Sequence, residues 1–222
     1  MQLAQLKGTI KGLFLAFGLA GLASCGSGDD ATDAGGSCGG ADESGICLQV
    51  SLIEPVNLDD QFTSDVDVNA VADCDPIAPG LQPEPFTEHF ADITFSATLI
   101  SGNPVAASFV QVTAMTVTFT QNTTDPVVGP AILQLTTPID VVIPVGTSVT
   151  QNLSLMNFQR KNDYTPAFGF DIFTAGPFDL SGAPAFLSYN VRYFFSGEDE
   201  FGNNVDATAA TEVIIGAYNN CA

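Results

Sequence analysis

The chain has 222 residues, 45% of them hydrophobic, and sets 25 acidic residues against 5 basic ones, for a net charge of −20. A surface this acidic repels nucleic acid and anionic lipid headgroups, which argues against a nucleic-acid-binding role. Seventeen Phe residues, with ample Val, Ile and Leu, supply the material of a real core, so the charge reads as a solvated surface and not as disorder.

The first element is an export signal. Lys7 and Lys11 form a positive start, and Gly12 to Leu22 form an apolar run of 11 residues. A membrane-spanning helix needs about 20 apolar residues, so the run fits a cleaved signal peptide over residues 1–24. Leu22-Ala23-Ser24-Cys25 closes it and resembles the lipobox of bacterial lipoproteins. The resemblance implies a lipid thioether on Cys25, cleavage after Ser24 and acylation of the new amino terminus. Several acyl chains on one residue anchor a protein stably, where a single chain does not. Gly26 and Ser27 follow, with no Asp at the first of these positions. By analogy with lipoproteins of enteric bacteria, that implies sorting to the outer membrane. After cleavage, Arg160, Lys161 and Arg192 face 25 acids, a net charge of −22.

Residues 25–46 hold the lipidated cysteine and a Gly/Ser/Asp-rich stretch without periodicity, expected to be a flexible tether. With Cys25 lipidated, four cysteines remain: Cys38, Cys47, Cys74 and Cys221. An even number in an exported chain suggests two disulfides with three possible pairings. One histidine and no Cys-x-x-Cys argue against a structural zinc site.

From residue 47 to 222 the pattern is β. Leu48, Val50 and Leu52 alternate with polar residues, as do Ile93, Phe95, Ala97 and Leu99. Val110 and Val112 start an alternation that slips by one at Ala114-Met115 and resumes at Met115, Val117 and Phe119. Such a slip predicts a β-bulge or a strand crossing between sheets. Residues 131–136, 139–143 and 148–158 are further strand candidates. Leu187, Tyr189, Val191, Tyr193 and Phe195 line one face of a long strand, and Val205–Gly216 returns beside it. No segment shows sustained helical periodicity with caps. Short strands separated by Pro and Asn/Gly/Asp clusters predict an all-β, antiparallel β-sandwich. A long acidic loop is expected over 54–88.

The segment from Tyr189 to Ala209 resembles the last hairpin of bacterial immunoglobulin-like and fibronectin-III-like domains. In those domains a Gly-x-Asp-x-x-Gly-Asn turn joins the last two strands; here the turn residues are Gly197, Asp199, Gly202 and Asn203. The resemblance implies an immunoglobulin-like fold and a tyrosine-corner role for Tyr189 or Tyr193. In such a sandwich the last strand ends where the first turns into the second, which implies Cys74–Cys221 and Cys38–Cys47 disulfides.

Candidate chemistry is sparse. Asp65, Asp67 and Asn69 stand at alternate positions as in an EF-hand loop, but the sixth position is Ala70 and the twelfth is Pro76. Asp59, Asp60, Asp73 or Asp75 could complete a looser calcium site. Glu198, Asp199, Glu200, Asn203, Asn204 and Asp206 form a second acidic cluster, expected at the opposite pole. His89 lacks a nucleophile motif and is expected to be exposed; Lys161 is expected in a solvated loop. Phe168, Phe170, Phe173 and Phe178 are expected to pack as a loop on the sandwich, or to form an aromatic patch. No catalytic set, cofactor or required metal emerges. The expectation is a non-enzymatic, lipid-anchored envelope module that docks another envelope protein or adheres. The alternatives are a glycan-binding module or carboxylate-based glycan hydrolase, and a calcium-stabilised structural domain.

Overall fold

The computed structural model describes residues 45–56, 63–72, 82–83, 86–100, 107–125, 127–167 and 186–218. Residues 1–44, where a signal peptide and tether are expected, and the Phe168–Phe178 segment lie outside them. Among the described residues there are ten strands and one helix. The strands are β1 (Ile46–Val56), β2 (Asp65–Asp67), β3 (Val71–Ala72), β4 (Gln82–Pro83), β5 (His89–Leu99), β6 (Phe109–Gln121), β7 (Leu135–Pro144) and β8 (Ser148–Met156), then β9 (Leu187–Asp199) and β10 (Asn204–Gly216). Helix α1 (Phe158–Ala167) lies between β8 and β9.

Two sheets pack face to face. One has the order β1-β5-β8, the other β2-β10-β9-β6-β7, and β3 pairs with β4 separately. The main ladders are antiparallel; β2 alone runs parallel, along the end of β10. The first, second and fifth long strands thus share one sheet, and the third, fourth, sixth and seventh share the other. This is an all-β, sandwich-like arrangement of two packed sheets, as the strand pattern predicts. Within 54–88, where a long acidic loop is expected, the described residues hold the end of β1, then β2 and the β3–β4 pair.

Period-two alternation builds the core. Leu187, Tyr189, Val191, Tyr193 and Phe195 of β9 are all at most 1% exposed, and Ile93, Phe95 and Ala97 of β5 face them at 0%. Phe95 meets Phe195 edge-on with ring centroids 4.8 Å apart, and Tyr193 stacks on Phe195 at 5.8 Å. Full burial of each such aliphatic or aromatic side chain stabilises by roughly 1.5–3 kcal/mol.

The phase slip in β6 is a bulge. Its register shifts between Val112 and Ala114 against both β7 and β9, so Val112 and Met115 both reach the core. Gly197 of β9 sits opposite: a Cβ there would collide with the carbonyl oxygen of Gln111 and crowd the Val112 backbone. A second bulge corrects the reading of β1. The register shifts between Val50 and Leu52, which turns Leu52 outward (44% exposed) and brings Ile53 opposite Ile93. Leu99 at the end of β5 also stays exposed, at 50%.

Candidate functional site

The sandwich has two poles. One carries the start of β1, the end of β5 and the β9–β10 turn. The other carries β2, the start of β5, α1 and the end of β10. The 13 residues of β10 span roughly 40 Å between them at ~3.3 Å per residue. The two acidic clusters lie at these opposite ends, Asp65 beside Ile214 and Asn204 beside Glu198.

At the turn pole, Asp199 is consumed by its own hairpin. Its Oδ1 accepts the backbone N–H groups of Phe201 and Asn203, each at 2.9 Å, and its Oδ2 accepts the Asn203 side-chain amide at 2.9 Å. Gly202 provides the positive φ of 82° that closes the turn. Burial alone would raise the Asp199 pKa; the hydrogen bonds from Asn203, Phe201 and Gly202 outweigh it and hold the carboxyl below its ordinary value. Glu200 accepts from the Ser108 backbone at 3.0 Å and from its hydroxyl, tying the turn to β6.

At the other pole, Asp67 is 5% exposed and brackets two chain segments. Its Oδ1 accepts from Asn69 N at 3.0 Å and Tyr218 N at 3.1 Å. Tyr218 also donates its hydroxyl to Asp65 at 3.0 Å. Asp67 therefore bonds as a turn bracket, the role Asp199 has at the far end. Among the described residues, no group of three His, Cys, Asp or Glu side chains is placed to hold a metal ion. Asp59, Asp60, Asp73 and Asp75 lie outside them.

Helix α1 is the feature the sequence hid. Asn157 caps it, accepting Arg160 N at 3.0 Å through its side chain. Its buried face is polar: Arg160 is 7% exposed, Lys161 1%, Tyr164 2% and Thr165 0%. The expectation of a solvated Lys161 in a loop is therefore wrong. Its ammonium lies 4.9 Å from the centroid of the Phe86 ring, and Phe86 packs on Phe158 at 5.8 Å. Arg160 donates to the carbonyls of Leu155 (3.3 Å) and Val117 (3.0 Å) and lies 5.1 Å over Phe119. These contacts supply the partners a buried cation needs. Burial lowers the guanidinium pKa, and Tyr193 partly offsets that.

His89 starts β5 at this pole and is also corrected. Its Nδ1 is buried without a hydrogen-bond partner. Burial first, and the nearby Lys161 charge second, push its pKa down to about 3, against a backbone hydrogen bond to Asp65 that favours the charged form. It is a neutral, enclosed imidazole at ordinary pH. No nucleophile–base–orienter set surrounds it among the described contacts.

Neither tyrosine forms the expected corner. Tyr189 donates its hydroxyl to Pro130 O at 3.1 Å, in the β6–β7 connection, and Tyr193 buries its hydroxyl without a hydrogen bond. Burial raises both phenol pKa values. Tyr164 meets Tyr189 edge-on at 6.1 Å, so α1 is locked to β9 where the corner was expected. Cys47 is 4% exposed, and its sulfur is not a free thiol. Cys25, Cys38, Cys74 and Cys221 lie outside the described residues. Compared with known proteins, the chain matches no family model, no curated protein and no solved structure.

Proposed function

We propose that the chain is a lipid-anchored cell-envelope module that acts by docking or adhesion and not by catalysis. One observation carries this reading: the Leu22-Ala23-Ser24-Cys25 box behind its short apolar run, joined by a Gly/Ser/Asp stretch to a sandwich whose first strand begins at Ile46. The stretch enters the fold at the pole of the β9–β10 turn. The α1 pole is then presented away from the membrane. Asp67 and Asp199 hold turns, and the buried Arg160 ties α1 to β6 and β8, which supports a scaffold reading. Outer-membrane placement, by analogy with lipoproteins that lack Asp after the lipidated cysteine, and an envelope-protein partner belong to the same proposal. Mass spectrometry of the amino-terminal peptide tests it: a diacylglyceryl-modified Cys25 supports the proposal, and an unmodified or uncleaved amino terminus refutes it.

The same reading includes Cys38–Cys47 and Cys74–Cys221 disulfides. Support comes from the join of Val68 N to Gly216 O at 3.0 Å and of Tyr218 N to Asp67, which makes the segments leading to Cys74 and Cys221 leave from one place. A bridge closing so long a loop stabilises by ~5 kcal/mol in the loop-entropy account. Non-reducing peptide mapping that joins Cys47 to Cys221 would contradict both pairings.

A further inference from the structure

The sandwich protects its sheet edges unequally. An open edge strand offers unpaired N–H and C=O groups to any other strand, and proteins blunt such edges with proline, charge or bulges. Edge strand β7 carries Pro138, Pro144 and Asp140 and lies against the β6 bulge. Edge strand β1 carries Pro55, Glu54 and its own bulge. Strand β2 is only three residues long, with an aspartate at each end.

Strand β8 has none of these over Ser148–Ser154. The sequence Ser-Val-Thr-Gln-Asn-Leu-Ser holds no proline and no charge, in a chain with 25 acids. Its pairing with β5 is regular from Ser148 to Ser154; the irregularity comes only beyond, between His89 and Phe90. Among the described residues no strand pairs with its other side, because β7 hydrogen-bonds to β6 in the opposite sheet. Ser148, Thr150, Gln151 and Asn152 are exposed, and the nearest acid across the ladder, Asp92, is held by the Asn152 amide at 2.8 Å.

This segment is also self-complementary. Antiparallel pairing about Gln151 places Ser148 opposite Ser154, Val149 opposite Leu153, Thr150 opposite Asn152, and Gln151 opposite itself. Ser148, Thr150, Asn152 and Ser154 then meet one another on the outer face, while Val149 and Leu153 extend the face that carries Ile93 and Phe95, with the two exposed Gln151 side chains meeting between them on the axis. We infer that β8 is a self-association edge. Two copies of this chain pair antiparallel through Ser148–Ser154, forming one continuous six-stranded sheet in the order β1-β5-β8-β8-β5-β1. The interface is isologous, as a two-fold dimer requires. Along this neutral strip two strongly acidic molecules approach without local like-charge contact. The remaining long-range repulsion is screened by salt, so association strengthens as salt rises.

The test uses the whole chain carrying Cys25→Ser, so that no lipid drives association. Sedimentation velocity from micromolar to millimolar protein is expected to show a monomer–dimer equilibrium that shifts toward dimer in high salt. Facing Cβ atoms across a strand pair lie about 5 Å apart, so Gln151→Cys brings two thiols into bonding range at the axis. Under mild oxidation it is expected to crosslink between chains about tenfold faster than Thr136→Cys, an exposed control on β7, because pairing raises the local thiol concentration. Gln151→Lys and Gln151→Glu are each expected to be monomeric, and their mixture to recover the dimer. A wild-type chain that stays monomeric at every concentration overturns the inference. So do equal crosslinking rates at positions 151 and 136, mapped by peptide mass, and so does a mixture that fails to associate while both variants remain folded.

Discussion

Replacing His89 by Gln should change how stability depends on pH, in one window and with one sign. In the folded domain the imidazole stays neutral down to about pH 3, because burial and the Lys161 cation both penalise its charge. In the unfolded chain it takes up a proton near its ordinary value of ~6.5. Below that point the unfolded state binds a proton that the folded state refuses. Stability therefore falls as pH drops from ~6.5 toward 3, by about 1.4 kcal/mol per pH unit, or about 2.7 kcal/mol by pH 4.5. Carboxylates also titrate toward the acid end, but they are common to both proteins. The comparison of wild type with His89→Gln at each pH removes them. Urea unfolding of both at pH 7.5 and pH 4.5 is the assay. The wild type should lose more stability than the variant over that interval, by about 2–3 kcal/mol. Equal losses in the two proteins would show that the ring is accessible to protons in the folded state, and the packing argument at this pole would fail.

Three further outcomes follow from single contacts. Gly197→Ala drives a methyl group into the Gln111 carbonyl at the β6 bulge and should cost about 3 kcal/mol in denaturant unfolding; a cost under ~1 kcal/mol would mean that the bulge can yield. Asp199→Ala removes the acceptor of two backbone amides and a side-chain amide and should cost about 2 kcal/mol at pH 7. Because the folded carboxyl has a lowered pKa, its contribution is full above the usual carboxylate range and is lost as pH falls through the folded value, so the gap to wild type should close in acid. Arg160→Met leaves the Val117 and Leu155 carbonyls without their buried donor and should cost about 3 kcal/mol, measured by thermal and urea unfolding; a neutral result would show that water replaces the guanidinium.

What the sequence disclosed depended on whether apolar pattern controlled the local structure. In β9 it did, with every second residue buried, and in β6 from Val110 to Val117, where even the bulge left its mark as a phase slip at Ala114. The Asp199–Asn203 turn was also legible, because its chemistry lies in adjacent residues. Helix α1 was not. It has ten residues, and its inward face carries Arg160, Lys161, Tyr164 and Thr165, so burial there runs against hydropathy. The clue available was Asn157, a good cap, followed by two of the three basic residues beyond residue 24. The outward turn of Leu52 was equally hidden, because Leu52 extends a perfect alternation and only the register with β5 reveals the extra residue at Ser51. His89 followed from the same blind spot: its surroundings come from α1 and β2, which are distant in sequence.

The most direct test of the docking account is crosslinking in intact cells, followed by solubilisation in detergent, capture of the full chain and mass spectrometry of what is attached. The account expects a stoichiometric envelope protein, with crosslinks that map to the α1 pole, the end presented away from the anchor. Recovery of the chain alone, or crosslinks scattered over its surface without a consistent partner, would contradict it.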